Sequence, residues 1–285
     1  MNASAMKEAI TIAKSAEQQK IDPSKTSVIL LAAGHGTRMR PLTDKLPKPL
    51  LKVGDRSLIE HHIAKLSALG FKQIVINTAY LGEKIQQQLG NGERYGLAIR
   101  YSDESNTGAL ETAGGIKNSL PLIDSDPFLV VNADIYSDFD FSSLFEIKSD
   151  SLGCLVLVPN PHHNTAGDFI INGQSIKDPS TKDPSTKDPS TEDPSTEDPS
   201  TEDPSTEDPS INHQGEPEGN STMTFSGIAL YRKAMFSALP QGKLALGPIL
   251  KRMIGSDKLV AVPYYGRWVD VGTPERLSEL NSSLG

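Results

Sequence analysis

The chain has 285 residues, enough to bury the core of one large α/β domain or of two smaller ones. Its net charge of −8 arises entirely between residues 177 and 210, which hold three lysines, seven aspartates and four glutamates; the rest is neutral overall, which excludes a nucleic-acid surface. A single cysteine excludes an internal disulfide, no apolar run approaches eighteen residues, and the N-terminus lacks a hydrophobic stretch ahead of a cleavage site, so a cytoplasmic protein without a membrane span is expected.

Residues 1–25 read as an N-terminal extension, disordered or loosely helical. The apolar run 28–33 reads as a buried strand and leads into a loop over residues 34–50. Residues 56–69 place Leu58, Ile59, Ile63, Leu66 and Leu69 at helical spacing, with Gly70 as the stop. Strands over 73–79, 98–101 and 127–131 then alternate with helices over 81–89 and 110–120, the pattern of a parallel sheet flanked by helices. From residue 153 the chain becomes strand-rich, with strands at 155–158, 168–171, 222–231, 259–263 and 267–271. Helices at 246–254 and 274–284 accompany them, the last behind Thr273 as its cap. This half is expected to extend the same sheet and to form the far side of a cleft. Cys154 falls in an apolar run and reads as a buried thiol.

Between Ile176 and Ile211 a pentapeptide repeats seven times, Lys-Asp-Pro-Ser-Thr three times and Glu-Asp-Pro-Ser-Thr four times, Ile211 replacing the last Thr. Proline at every fifth position, no apolar residue to bury and mutual charge repulsion predict disorder over an insertion spanning 177–220. As a coil its 34 repeat residues span roughly 30 Å, enough to leave and rejoin the surface without disturbing the strands they connect. Deleting 177–210 is expected to leave kcat within about tenfold of wild type.

The loop Gly34-His35-Gly36-Thr37-Arg38-Met39-Arg40-Pro41-Leu42-Thr43-Asp44-Lys45-Leu46-Pro47-Lys48-Pro49-Leu50 reads as a phosphate cradle. Its glycines allow close backbone approach to an anion, and Arg38 and Lys48 supply fixed positive charge, a combination suited to a nucleoside triphosphate. It lacks the Gly-Lys-Ser/Thr of a Walker loop, and Met39 stands where a dinucleotide fingerprint needs a third glycine. Because ligands of such sheets bind beyond the carboxyl ends of strands, Gly34, Asn77 and Asp134 should share one edge. Asp134, in Asn132-Ala133-Asp134, and Asp270, at the end of a late strand, are candidate ligands for Mg²⁺, which takes one or two carboxylates together with phosphate oxygens and water. The adjacent histidines His61-His62 and His162-His163 cannot form an i, i+4 metal pair and read as structural.

The cradle resembles the signature loop of the sugar-1-phosphate nucleotidyltransferases. The order of that loop, Glu111-Thr112-Ala113-Gly114-Gly115, Asn132-x-Asp134, Thr224-Phe225-Ser226-Gly227-Ile228 and Arg267-Trp268-Val269-Asp270-Val271-Gly272-Thr273-Pro274-Glu275-Arg276 is similar to that of the compact N-acetylmuramate-1-phosphate uridylyltransferase type. The resemblance implies a single-domain, Rossmann-like α/β fold over 26–284, a mixed central sheet flanked by helices and interrupted by the repeat. It implies that Leu31, Ala32, Ala33, Gly34, Gly36, Thr37, Asn77, Thr112, Gly114 and Asn132 hold the nucleotide. Arg38 and Lys48 would grip phosphate, Asp134 and Asp270 would hold Mg²⁺, and Asp168, Ser226 and Gly227 would face the sugar.

The implied reaction joins a nucleoside triphosphate, UTP by the resemblance, to a sugar 1-phosphate, N-acetylmuramate 1-phosphate by the same token, in cell-wall sugar recycling. The nucleophile is already ionised, so no dedicated base is required. Mannose 1-phosphate with GTP, or glucose 1-phosphate with UTP or dTTP, are alternative substrates; a nucleotide-sugar glycosyltransferase and a non-catalytic sensor are the competing classes.

Overall fold

Nine strands hydrogen-bond into one sheet in the computed structural model, which describes residues 18–172, 175–179, 221–254, 256 and 258–285. In chain order the elements are β1 (Gln18–Lys20), β2 (Ser27–Leu31), β3 (Lys52–Val53), β4 (Arg56–Ser57), α1 (Leu58–Ala68), β5 (Gln73–Thr78), α2 (Gly82–Leu89), β6 (Ala98–Asp103) and α3 (Glu111–Ser119). There follow β7 (Phe128–Asn132), β8 (Ile135–Ser137), β9 (Glu146–Lys148), β10 (Gly153–Val158), β11 (Phe169–Asn172), β12 (Ser175–Lys177), β13 (Ser221–Tyr231), the single turn α4 (Ala234–Ser237), α5 (Gly247–Met253), β14 (Leu259–Pro263), β15 (Trp268–Asp270) and α6 (Pro274–Ser282).

The sheet runs β10-β14-β12-β11-β13-β7-β2-β5-β6, and β10 also pairs with β13. β2, β5, β6 and β7 are parallel, whereas β13 runs antiparallel to β7, making the sheet mixed. β2, β5 and β7 are buried on both faces, which is why their centres read as apolar runs, whereas the edge strand β6 alternates exposed and buried residues. Alternate residues sort between two cores: Val28, Leu30, Ile74 and Ile76 pack with Ile59, Ile63 and Leu66 of α1 on one side. Ile29 and Val75 pack with Ala113 and Ile116 of α3 on the other. Helices on both faces of a mixed sheet are the expected architecture.

A capping box starts α1: the Ser57 N–H donates to Glu60 Oε2 at 3.0 Å and the Ser57 hydroxyl to the same oxygen at 2.6 Å. The cleft follows from register. Leu31, the last residue of β2, lies opposite Asn77 on one neighbouring strand and Asn132 on the other, so three strand ends open on one edge.

Two boundaries differ from expectation. Gln18–Lys20 pairs with Glu146–Lys148, and Ile21 is buried, so residues 18–25 belong to the fold and not to an extension; residues 1–17 lie outside the described residues. Lys177 pairs with Ile170 in the β11–β12 hairpin and Asp178 meets Lys251, so the described fold continues through Pro179. The expected disorder of 180–220 falls outside the described residues. A deletion meant to spare the fold should therefore remove 180–210, and kcat measured on that variant should stay within about tenfold of wild type. The short strands β1, β3, β4, β8, β9 and β12 carry two or three residues each, too few for any periodicity to register.

Candidate active site

Strand pairing brings the two aspartates together. Asp134 leaves β7 and leads into β8, which pairs antiparallel with β15 so that Ile135 lies opposite Asp270. The Val271 N–H donates to the Asp134 carbonyl at 3.3 Å, and the Ala133 N–H to the Leu31 carbonyl at 3.0 Å, which locks the turn to the end of β2. Between the two carboxylates sits Lys48 Nζ, 2.7 Å from Asp134 Oδ2 and 3.8 Å from Asp270 Oδ1. The lysine side chain is only 7% exposed, against 39% for Asp134 and 20% for Asp270. Two carboxylates thus converge on a cation position at the floor of the cleft.

Further charges surround Asp270. Thr273 caps α6 by accepting from the Arg276 N–H, and the Arg276 guanidinium reaches Asp270 Oδ2 at 3.0 Å. His163 Nε2 stands 3.4 Å from the same oxygen. The loop between β10 and β11 thus brings His163, of the His162-His163 pair read as structural, to the Asp270 carboxylate. Burial, then the Arg276 and Arg38 charges, hold the His163 imidazole below its ordinary range, against the pull of Asp270.

His62 supports the turn from beneath. Its Nε2–H donates to the Ile135 carbonyl at 2.9 Å, and the ring is 1% exposed. Burial is the main cause that pushes its pKa from 6.5 down to about 4. The unfolded chain therefore binds a proton that the native protein excludes between those values. The associated stability is complete above pH 6.5 and disappears as pH falls toward 4, on the order of 3 kcal/mol over that window. His62→Gln, which keeps a donor without titrating, should flatten the acid limb of the unfolding profile between pH 7 and 4, measured by denaturant titration at each pH.

The glycine turn is built on Lys48. Gly36 has φ +61°, and a Cβ there would lie 3.1 Å from Thr43 Cγ2 and 3.2 Å from Lys48 Cβ, so only glycine lets the loop close over the lysine. The Thr43 hydroxyl donates to the Gly36 carbonyl at 2.8 Å to hold that closure. Arg38 follows in the 3-10 turn Thr37–Met39 with its side chain exposed. His35 stacks on Tyr80.

A buried amide network shapes the other end. The Ala32 N–H donates to Asn77 Oδ1 at 2.6 Å, the Asn77 amide donates to Glu104 Oε1 at 2.9 Å, and Glu104 Oε2 accepts from the Leu110 N–H at 3.0 Å. Burial raises the Glu104 pKa, and the Leu110 and Asn77 bonds oppose that rise. Gly115 lets α3 approach this network: a Cβ there would stand 2.6 Å from Asn77 Nδ2.

These groups surround a cavity of about 320 Å³. Of the residues singled out in the sequence, Leu31, Ala32, Ala33, Gly34, Gly36, Thr37, Arg38, Lys48, Asn77, Thr112, Asn132 and Asp134 line it, and Asp270 lies behind Lys48. A second cavity of about 500 Å³ shares the Glu111, Thr112 and Asn132 wall and contains Asp168, whose carboxylate accepts from the Phe225 N–H at 2.8 Å and the Asn164 amide at 3.1 Å.

Three expected contacts lie elsewhere. Gly114 packs against the Gly242–Leu244 segment, its N–H donating to the Leu244 carbonyl at 3.1 Å. Ser226 is 1% exposed, its hydroxyl accepting from the Ile228 N–H and its carbonyl from Trp268 Nε1. Gly227 is pressed against the Asn132 side chain at the irregularity where β13 slips against β10. Ser226 and Gly227 line neither cavity and serve the strand.

Glu104, Glu111 and Gly272 line the first cavity without having been assigned a site role, and His163, read as structural, reaches Asp270. Glu104 follows β6 at the same sheet edge as Asn77, so the edge rule reaches it once that strand is extended to Asp103. Glu111, at φ +61°, holds a left-handed conformation at the junction of the two cavities, which no local pattern announces.

The profile of the family described as Nucleotidyl transferase matches residues 27–169. The chain is 39% identical over 262 residues to N-acetylmuramate alpha-1-phosphate uridylyltransferase of Neisseria meningitidis serogroup B, covering 90% of this chain and 97% of that one. It is 29% identical over 259 residues to the Caulobacter vibrioides protein of the same name, covering 87% and 92%. The inositol-1-phosphate CTP transferase structure from T. maritima shares the fold at a TM-score of 0.61 and 15% identity, over 93% of this chain and 98% of that one. A family profile seated on the glycine turn and the first aspartate, together with a relative matched almost end to end, establishes that this chain belongs to the nucleotidyl transferase family, among the sugar-1-phosphate nucleotidyltransferases.

Proposed function

We propose that the protein transfers the uridylyl group of UTP to N-acetylmuramate 1-phosphate, giving the nucleotide sugar and pyrophosphate, within cell-wall sugar recycling. The observation that carries this is Lys48 Nζ lodged between Asp134 and Asp270 at the base of a cavity roofed by the glycine turn. The sugar and base come from the Neisseria and Caulobacter relatives. Supply of UTP places the reaction in the cytoplasm, and no helix among the described residues is long and apolar enough to cross a membrane.

The donor set fits Mg²⁺. Two carboxylates already face a cation, and this ion needs no larger protein cage when phosphate oxygens and water complete its shell. Among the described residues no cluster of three or more His, Cys, Asp or Glu side chains forms an alternative metal site. Bound by Asp134 and Asp270, Mg²⁺ would neutralise charge on the triphosphate.

The protein's own groups position the reactants. The backbone of Ala32 to Gly34 and the Asn77–Glu104 network border the nucleoside end, while Arg38 and Lys48 neutralise phosphate oxygens. A phosphate oxygen of the sugar 1-phosphate attacks the α-phosphorus in line. A new P–O bond forms as the bond from the α-phosphorus to the oxygen bridging to the β-phosphate breaks, and pyrophosphate leaves with that electron pair, stabilised by Arg38. The nucleophile carries no proton to remove, so no general base is assigned.

Pyrophosphate release tests the assignment, using purified protein with UTP, dTTP, GTP and CTP against N-acetylmuramate, N-acetylglucosamine, mannose and glucose 1-phosphates. UTP with N-acetylmuramate 1-phosphate should exceed every other pair in kcat/KM by at least about tenfold. Preference for another pair overturns the substrate assignment, and absence of pyrophosphate from every pair overturns the reaction.

A further inference from the structure

The second cavity holds a charge pair that the transfer reaction leaves unused. Lys251, in the last turn of α5, is the one cation lining that cavity among the described residues. Its Nζ lies 3.8 Å from Asp178 Oδ1, too long for a hydrogen bond, which leaves donor capacity on the ammonium. Asp178 directly follows β12, and Pro179 beside it lines the same cavity. Of the two acids on its lining, Glu111 and Asp168, the latter has both oxygens engaged by Phe225 and Asn164. Phe169, Phe225, Leu246 and Leu250 make much of the remaining wall apolar. A ligand group entering here meets Lys251 as the one positive charge on the lining among the described residues, with Glu111 on the wall shared with the first cavity already paired to Lys243 at 3.4 Å.

We propose that Lys251 recognises an anionic substituent of the sugar, a carboxylate, and that Asp178 is an intramolecular competitor for the same ammonium in the free enzyme. This rests on the substrate class proposed above. N-acetylmuramate differs from N-acetylglucosamine by a lactyl ether whose carboxylate is ionised at neutral pH. With the phosphate end at Lys48 and Asp134, a sugar passing the shared Thr112–Asn132 wall directs its ring substituents into the second cavity. There the carboxylate replaces Asp178 at Lys251, a charge-assisted contact that a neutral sugar cannot make. A role confined to fastening the chain at Asp178 predicts something different. The lysine side chain is 52% exposed, a setting in which an ion pair contributes little stability, and its loss would not separate one sugar from another.

The test uses the full chain with saturating UTP and measures KM for N-acetylmuramate 1-phosphate and N-acetylglucosamine 1-phosphate in wild type, Lys251→Met, Lys251→Arg and Asp178→Asn. Lys251→Met should raise KM for the carboxylated sugar about tenfold, at least fivefold more than for the neutral one, and Lys251→Arg should restore most of the difference. Asp178→Asn should lower KM for the carboxylated sugar alone, by about two- to threefold, as a competing carboxylate is removed. Equal change for both sugars, or no change for either, overturns the assignment of Lys251; an unchanged KM in Asp178→Asn overturns the competitor role. Wild-type protein that does not prefer the carboxylated sugar defeats the substrate assignment and Lys251 with it. Wild type that prefers it, with Lys251→Met keeping that preference, defeats Lys251 alone.

Discussion

Asp134→Asn is expected to lower kcat by about a thousandfold with the fold intact, the scale associated with removing a group that stabilises transition-state charge. The substitution keeps shape and an acceptor oxygen for Lys48, which stands at 2.7 Å, and it leaves both backbone bonds that fix the turn, Ala133 to Leu31 and Val271 to Asp134. What disappears is one of the two negative charges that face the cation position. Steady-state kcat together with the thermal midpoint checks this: a large rate loss at a near-normal midpoint is the expected pair of results. Wild-type turnover in Asp134→Asn, or in Asp134→Ala, would remove the catalytic assignment.

Lys48→Met should lower kcat about a hundredfold and at the same time reduce the Mg²⁺ concentration needed for half-activation. The ammonium occupies the space between Asp134 and Asp270, so under the proposed assignment a dication would have to compete with it for their oxygens. Its removal leaves two like charges facing each other, with Arg276 and His163 beside Asp270 among the described residues. Mutual repulsion then destabilises the metal-free fold, and a divalent ion offsets it. The thermal midpoint of Lys48→Met should therefore rise more steeply with added MgCl₂ than that of wild type, in the absence of any triphosphate. An unchanged or increased Mg²⁺ requirement would show that the lysine and the ion do not share these carboxylates.

The cradle was legible because its chemistry is contiguous. Gly34, Gly36, Thr37 and Arg38 sit within five positions, and Lys48 follows within the same loop, so local composition marks a candidate anion site before any fold is known, and all five line one cavity. The edge on which Gly34, Asn77 and Asp134 meet was legible for a different reason: apolar runs ending in polar residues mark the carboxyl ends of parallel strands. Ser226 and Gly227 line neither cavity, and a polar pair inside a strand looks the same in sequence whether it faces a ligand or absorbs a slip in register. One position of a helix separates two surroundings that the sequence does not distinguish: Gly115 turns toward the Asn77 amide, while Gly114 turns toward the Leu244 backbone.

Spacing, periodicity and charge along contiguous residues were enough to specify the longer strands, the helices and the glycine loop, because each is a property of neighbours in the chain; the class of reaction came from the resemblance of the ordered motifs to a known family. The meeting of Asp134, Asp270 and Lys48, the approach of His163, and the opposition of Lys251 to Asp178 depend on which strands pair and in what register. Asp134 and Asp270, 136 positions apart in the chain, become neighbours through the β8–β15 ribbon, and no local pattern carries that distance.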